Sequence, residues 1–172
     1  MITDELQERV TGWFAGRLPA EWQTTPAEVT VDREEITVVL TTEDVAVDSP
    51  TDAALAEARA GRASGFREDT REQRMEIAQE AQHRFERKVS WGLAVGERRE
   101  LWTHVSAPVM TRLRQPQRLV LDTLVDAGVA RSRSEALVWA VRLVGEHAEE
   151  WLTQLRNAMA SVEEVRARGP QL

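Results

Sequence analysis

Apolar and polar residues alternate with two different periods along the first hundred positions, and the switches between periods mark the elements. A helical pattern runs from about Asp4 to Phe14, with Thr3 as N-cap, Asp4 and Glu5 at the positive helix end, and Gly16 and Pro19 as stops. Two short alternating runs follow, Glu28-Val29-Thr30-Val31 and Ile36-Thr37-Val38-Val39-Leu40, joined by the polar turn Asp32-Arg33-Glu34-Glu35. Ser49-Pro50 then predicts a helix start, with Ser49 capping and Pro50 at the first helical position. Ser64-Gly65 is expected to interrupt that helix. Thr70 with Gln73 three residues on reads as a capping box for a second segment reaching about Lys88, with Ile77, Ala78, Ala81 and Phe85 on one face.

Beyond Lys88 the period returns to that of a strand. Val89 to Val95 and Leu101 to Val105 flank Gly96-Glu97-Arg98-Arg99-Glu100, which predicts a second hairpin. The order helix, hairpin, helix, hairpin gives the fold class as α+β, with an N-terminal body over residues 1–105 and a second part over 106–172.

Composition narrows the classes. A chain of 172 residues with 42% apolar positions can bury a core, and without cysteine it has no disulfide, thiolate metal site or cysteine nucleophile. No apolar run approaches the roughly 18 residues of a membrane span, and the start carries Asp4, Glu5 and Glu8 in place of a basic leader. These features predict a cytoplasmic protein with no membrane partner. The net charge of −7 is unevenly spread: residues 1–83 carry −10, residues 84–142 carry +5, and residues 143–172 carry −2. Such asymmetry suits a binding module attached to an acidic body.

From Ala107 the sequence becomes more specific. Ala107-Pro108-Val109-Met110-Thr111-Arg112-Leu113 is a short extended run, and Pro116 opens a helix with an apolar stripe of Val120, Leu121, Leu124 and Val125. Gly128 ends that helix, since it can take the positive φ a helix C-terminus often needs. Ser132 and Glu135 then form a capping box for a further helix, which is expected to bury Leu137, Val138, Val141 and Val144. That helix is expected to continue through Ala148 toward Arg166, with Gly169-Pro170 as its stop. Val141, Ala148, Leu152, Leu155, Met159 and Val162 would form a packing seam along it.

This order resembles the ribbon-helix-helix DNA-binding family. Arg112-Leu113 match the end of that family's strand, and Ser134-Glu135 follow at the family's interval without a gap. The resemblance covers residues 107–146 only. It implies a homodimer in which two strands pair into a ribbon and four helices close one core. Such a ribbon fits the major groove of double-stranded DNA. With Leu113 in the core, Val109 and Thr111 point inward too, and Pro108, Met110, Arg112 and Arg114 point outward. Pro108 and Met110 stand where the family has polar readers. The second helix offers its N-terminal N–H groups to a phosphate, with Arg131, Ser132, Arg133 and Ser134 beside them. The DNA-binding set is therefore Met110, Arg112, Arg114, Arg131, Ser132, Arg133 and Ser134, in a transcriptional regulator whose acidic domain is open to an effector or a protein partner. The alternative is a non-enzymatic adaptor homodimer that uses the same core for dimerisation alone.

Nothing in the chain points to catalysis. His83, His104 and His147 do not share a helix face, so no metal site is expected. Gly61-Arg62-Ala63-Ser64-Gly65 lacks the Lys-Ser/Thr ending of a phosphate loop, and no cofactor is implied. The six tryptophans are spread along the chain and read as core anchors.

Overall fold

The computed structural model describes residues 4–48 and 51–168 and is mixed α+β. Thr3, Ser49, Pro50, Gly169 and Pro170, to which the sequence assigns helix starts and a stop, lie outside the described residues. The chain divides into two compact units, Met1–Pro108 and Val109–Leu172.

Unit 1 begins with α1 (Asp4–Arg17), which runs past Gly16, and a single 3-10 turn at Ala20–Trp22. Strands β1 (Glu28–Val31) and β2 (Glu35–Thr42) form the first hairpin, closed by the Asp32 carboxylate accepting from the backbone N–H of Glu34 and Glu35 at 2.7 Å each. Helices α2 (Asp52–Asp69) and α3 (Arg71–Phe85) carry the chain across to β3 (Lys88–Val95), which pairs with β2 in parallel. A parallel pair requires a crossover of this kind. Strand β4 (Arg98–Leu101) completes a sheet ordered β1-β2-β3-β4.

The two long apolar strands therefore sit in the centre and the two short ones at the edges, where short strands limit unwanted pairing. Ile36, Val38 and Leu40 of β2 stand beside Val89, Trp91 and Leu93 of β3 on one face of the sheet. They share one core with Val10 and Phe14 of α1, Ala63 of α2, and Ile77, Ala81 and Phe85 of α3. Edge-to-face ring pairs tie these elements together, Phe14 against Trp91 at 6.1 Å and Trp13 against Phe85 at 5.7 Å. On the opposite face Arg99 of β4 reaches Glu28 of β1 through two hydrogen bonds, at 2.7 and 2.9 Å.

Several local expectations shift. The cap of α2 is Thr51, whose hydroxyl accepts from Ala54 N–H at 3.2 Å. Ser64-Gly65 does not interrupt α2, because Ala63 and Phe66 pack on the core and hold that turn helical. The break falls at Thr70, and its side chain makes no capping bond. Thr70 Oγ1 instead donates to Phe66 O and accepts from Arg74 Nε, so the proposed box with Gln73 is absent. The second hairpin turns tightly at Gly96-Glu97, which places β4 at residues 98–101 in place of 101–105. Gly96 has φ +56°, and a Cβ there would run into the Asp44 carboxylate. After β4, Trp102 N–H still bonds Trp91 O, while Glu35 accepts from the Ser90 hydroxyl and from Val105 N–H.

Unit 2 contains α4 (Gln115–Asp126), α5 (Arg133–His147) and α6 (Glu149–Arg168). Its core is small. Leu121, Ala130 and Ala136 are buried, with Leu113, Leu124, Val125 and Leu137 packed against them. Gly128 takes φ +74° just past α4, and the following N–H groups of Val129 and Ala130 bond back to Leu124 O at 3.0 and 3.2 Å. Val120 is exposed, and so are Val138, Val141 and Val144, with Val141 at 65%. The expectation that α5 buries these three is corrected for the single chain: Ala136 and Leu137 take the contact with the small core, and the other apolar stripe faces outward. Nor does one helix continue through Ala148. That residue leaves helical geometry, at φ −118° and ψ 17°, and separates α5 from α6. No helix among the described residues is long and apolar enough to cross a membrane.

Candidate nucleic-acid interface

The N-terminus of α5 is built by Ser132. Its extended backbone ends the turn, and its Oγ accepts from Glu135 N–H at 3.2 Å. The Glu135 carboxylate reaches back to Arg131 N–H at 2.8 Å, one residue before the cap. That bond, helped by the Arg131 guanidinium, holds the Glu135 carboxyl below its ordinary range. Arg133 turns toward α4 and grips Asp122 with two bonds of 2.6 and 2.9 Å. Asp122 is lowered and Arg133 raised by this pairing. Both ion pairs are solvent-exposed, with the Arg131 side chain at 93%. Exposed pairs of this kind contribute little to stability and are screened by salt. Ser134 is exposed at the first turn of α5.

The segment before α4 is irregular in the single chain. Val109 and Met110 are exposed, Met110 at 96%, and Thr111, Arg112 and Arg114 are exposed as well. The inward placement of Val109 and Thr111 is therefore absent here, because nothing within unit 2 covers them. Leu113 alone reaches the core, as its parity requires. Arg114 is extended, at φ −79° and ψ 171°, and serves as N-cap residue of α4 without a side-chain capping bond. The side chains of Arg112 and Arg114 make no hydrogen bond or ion pair among the described residues.

The predicted residues thus form two groups. Arg131, Ser132 and Glu135 are joined at the start of α5, and Arg133 links that start to α4. Met110, Arg112 and Arg114 lie on the segment leading into α4 and are not bonded to the first group. Sequence reasoning missed Asp122 and Arg118. Arg118 donates to Leu113 O at 2.9 Å and so pins the end of the extended segment. Asp122 stands six residues before Gly128, the predicted helix end. Only the packing of α5 against α4 brings it to Arg133.

Comparison with known proteins places this geometry in a family. Residues 8–101 match the model of the Rv1265-like protein N-terminal domain, and residues 114–166 match the Mb1296 C-terminal domain. The uncharacterised proteins Rv1265 of Mycobacterium tuberculosis and Mb1296 of Mycobacterium bovis are each 59% identical to the chain over 160 residues. The alignments cover 93% of this chain and 70% of each relative. The chain belongs to the Rv1265-like family. Its two matched domains fall one in each compact unit of this chain, the first sheet-based and the second helical. No solved structure matches the chain.

Proposed function

We propose that this protein is a homodimeric, sequence-specific double-stranded DNA-binding protein of the cytoplasm, a transcriptional regulator that acts without catalysis through a ribbon-helix-helix module. The observation that carries the reading is the coincidence of two open features in unit 2. Apart from Leu113, the segment 109–114 is exposed, with the Arg112 and Arg114 side chains unpaired among the described residues. Directly after it, α4 and α5 expose Val120, Val138, Val141 and Val144. A second copy would supply both a partner strand for the first and a surface for the second. Outward Arg112 and Arg114 would then meet base edges or phosphates, and the capped start of α5 would hold a phosphate. Asp122 and Glu135 oppose that last contact. They favour the second reading, an adaptor homodimer whose helical core serves dimerisation alone.

Titration of the full chain against genomic duplex fragments at several salt concentrations separates the two readings. For a ribbon in the major groove, Arg112→Ala relaxes sequence preference, since one bidentate Arg–base pair provides about 1–3 kcal/mol of discrimination. Arg133→Ala weakens all duplexes alike and reduces the salt slope by roughly one unit per lost phosphate contact. A dimer without salt-dependent affinity for any duplex establishes the adaptor reading.

A further inference from the structure

Arg74 lies in the first turn of α3 and is only 7% exposed. Burying a guanidinium demands partners for its five N–H groups and for its charge. Nε donates to Thr70 Oγ1 at 2.9 Å and Nη2 to Arg67 O at 2.7 Å, both neutral oxygens. Nη1 has no hydrogen bond to the protein and is not sealed from solvent, and no carboxylate pairs with Arg74 among the described residues. The guanidinium stacks over Trp102 at 4.7 Å and also faces Trp91 at 5.9 Å. Burial, together with the like charges of Arg67 and Arg71, pushes Arg74 down to about 10.

These groups surround a cavity of about 550 Å³ in unit 1, lined by Arg67, Arg71, Arg74, Trp91 and Trp102, with Glu68 as its carboxylate. The nearby Glu100 is occupied, accepting from Trp102 Nε1 at 2.6 Å and from Arg98 at 2.8 Å. Three arginines against one free acid leave the cavity positive, and Trp91 and Trp102 supply the aromatic part of its lining beneath the Arg74 guanidinium. The volume is that of an ordinary small-molecule site.

We propose that this cavity binds a small organic anion, its oxyanion group on Arg74 with Arg67 and Arg71, and its flat apolar body against Trp91 and Trp102. An oxyanion provides what the fold omits, a charge-assisted acceptor for Nη1 and a counter-charge for three clustered cations. All the groups belong to unit 1, so the assignment stands or falls separately from DNA binding.

The test follows the indole N–H signals of Trp91 and Trp102 by NMR in the full chain. The probes are phenyl phosphate and benzoate, with benzyl alcohol as the uncharged counterpart. Saturable shifts of both signals with phenyl phosphate or benzoate, and none with benzyl alcohol, are expected. The stronger of the two anions distinguishes a phosphate from a carboxylate ligand. Arg74→Lys tests the buried contact directly but removes packing as well. Arg67→Gln and Arg71→Gln, on the cavity rim, keep the test independent of folding, and each is expected to weaken the anion roughly tenfold. Shifts from neither anion at about 1 mM, equal affinity for benzyl alcohol, or undiminished binding by both glutamine variants overturns the proposal.

Discussion

The two units solve the burial problem differently. In unit 1 three helices and four strands enclose a core from Val10 to Val95, and the large apolar side chains that stay exposed among the described residues are Met75 and Leu101. In unit 2 three helices bury Leu121, Ala130 and Ala136, while Val120, Val138, Val141, Val144, Trp151, Leu155 and Met159 are exposed. Both units are strongly patterned in sequence. The difference lies in how many elements each can bring against its apolar faces. A mixed sheet offers a wide surface to several helices at once, whereas α4 and α5 present one narrow stripe each to the other and leave a second stripe uncovered. An uncovered contiguous apolar face marks an interaction surface. Unit 1 is thus complete by itself, and unit 2 has the character of half a core.

The largest expected effect breaks this comparison directly. If a second copy covers α5, Val141→Glu places an unpaired carboxylate in each half of a symmetric interface, a cost of several kcal/mol per protomer. Ultracentrifugation is expected to show a dimer for the unmodified chain and a monomer for the variant, with the unit 1 sheet intact by circular dichroism. The unmodified dimer is also expected to melt at a midpoint that rises with protein concentration. A concentration-independent monomer would refute the half-core description.

Ile77→Ala acts on the other unit. Ile77 is fully buried, so its truncation is expected to cost about 2–5 kcal/mol, read as a lower denaturant midpoint. Oligomeric state should be unchanged, because the residue lies in a core that closes within one chain. Coupled loss of assembly in this variant would show that the units do not stabilise themselves separately.

Ser132→Ala sharpens the description of unit 2. Loss of the capping bond to Glu135 N–H is expected to cost about 1 kcal/mol, measured by denaturation of the full chain. Ser134→Ala, one residue inside α5 and without a capping bond, serves as its control and should leave stability almost unchanged.

The smallest effect is electrostatic and confined to unit 1. Arg59 and the Val45 N–H hold Asp44 down at about 2, against an ordinary 3.8. A carboxyl with a depressed folded value stabilises the fold above its unfolded value, and that contribution disappears as pH falls through the folded value. Thermal unfolding between pH 4 and pH 2 should therefore lose less in Asp44→Asn than in the unmodified chain. Asp44 is exposed, so the difference will be modest and will shrink with added salt.

Much of the architecture is written in local chemistry. The first hairpin, the Ser132 cap and the left-handed Gly128 follow from side chains acting within a few residues of themselves, and such interactions survive in any fold that contains them. The alternating runs at 28–31 and 36–40 and the α3 face of Ile77, Ala81 and Phe85 are legible for the same reason. Other features depend on residues far apart in the chain. Ser64-Gly65 stays helical because Ala63 and Phe66 are held by the core. Parallel pairing of β2 with β3, the Arg133–Asp122 link and the meeting of Arg74 with Trp91 and Trp102 are decided only when separate elements pack. Periodicity shows that a helix face is apolar, but what covers that face depends on the elements packed against it. That is why the same pattern is buried at Ile77 and open at Val141.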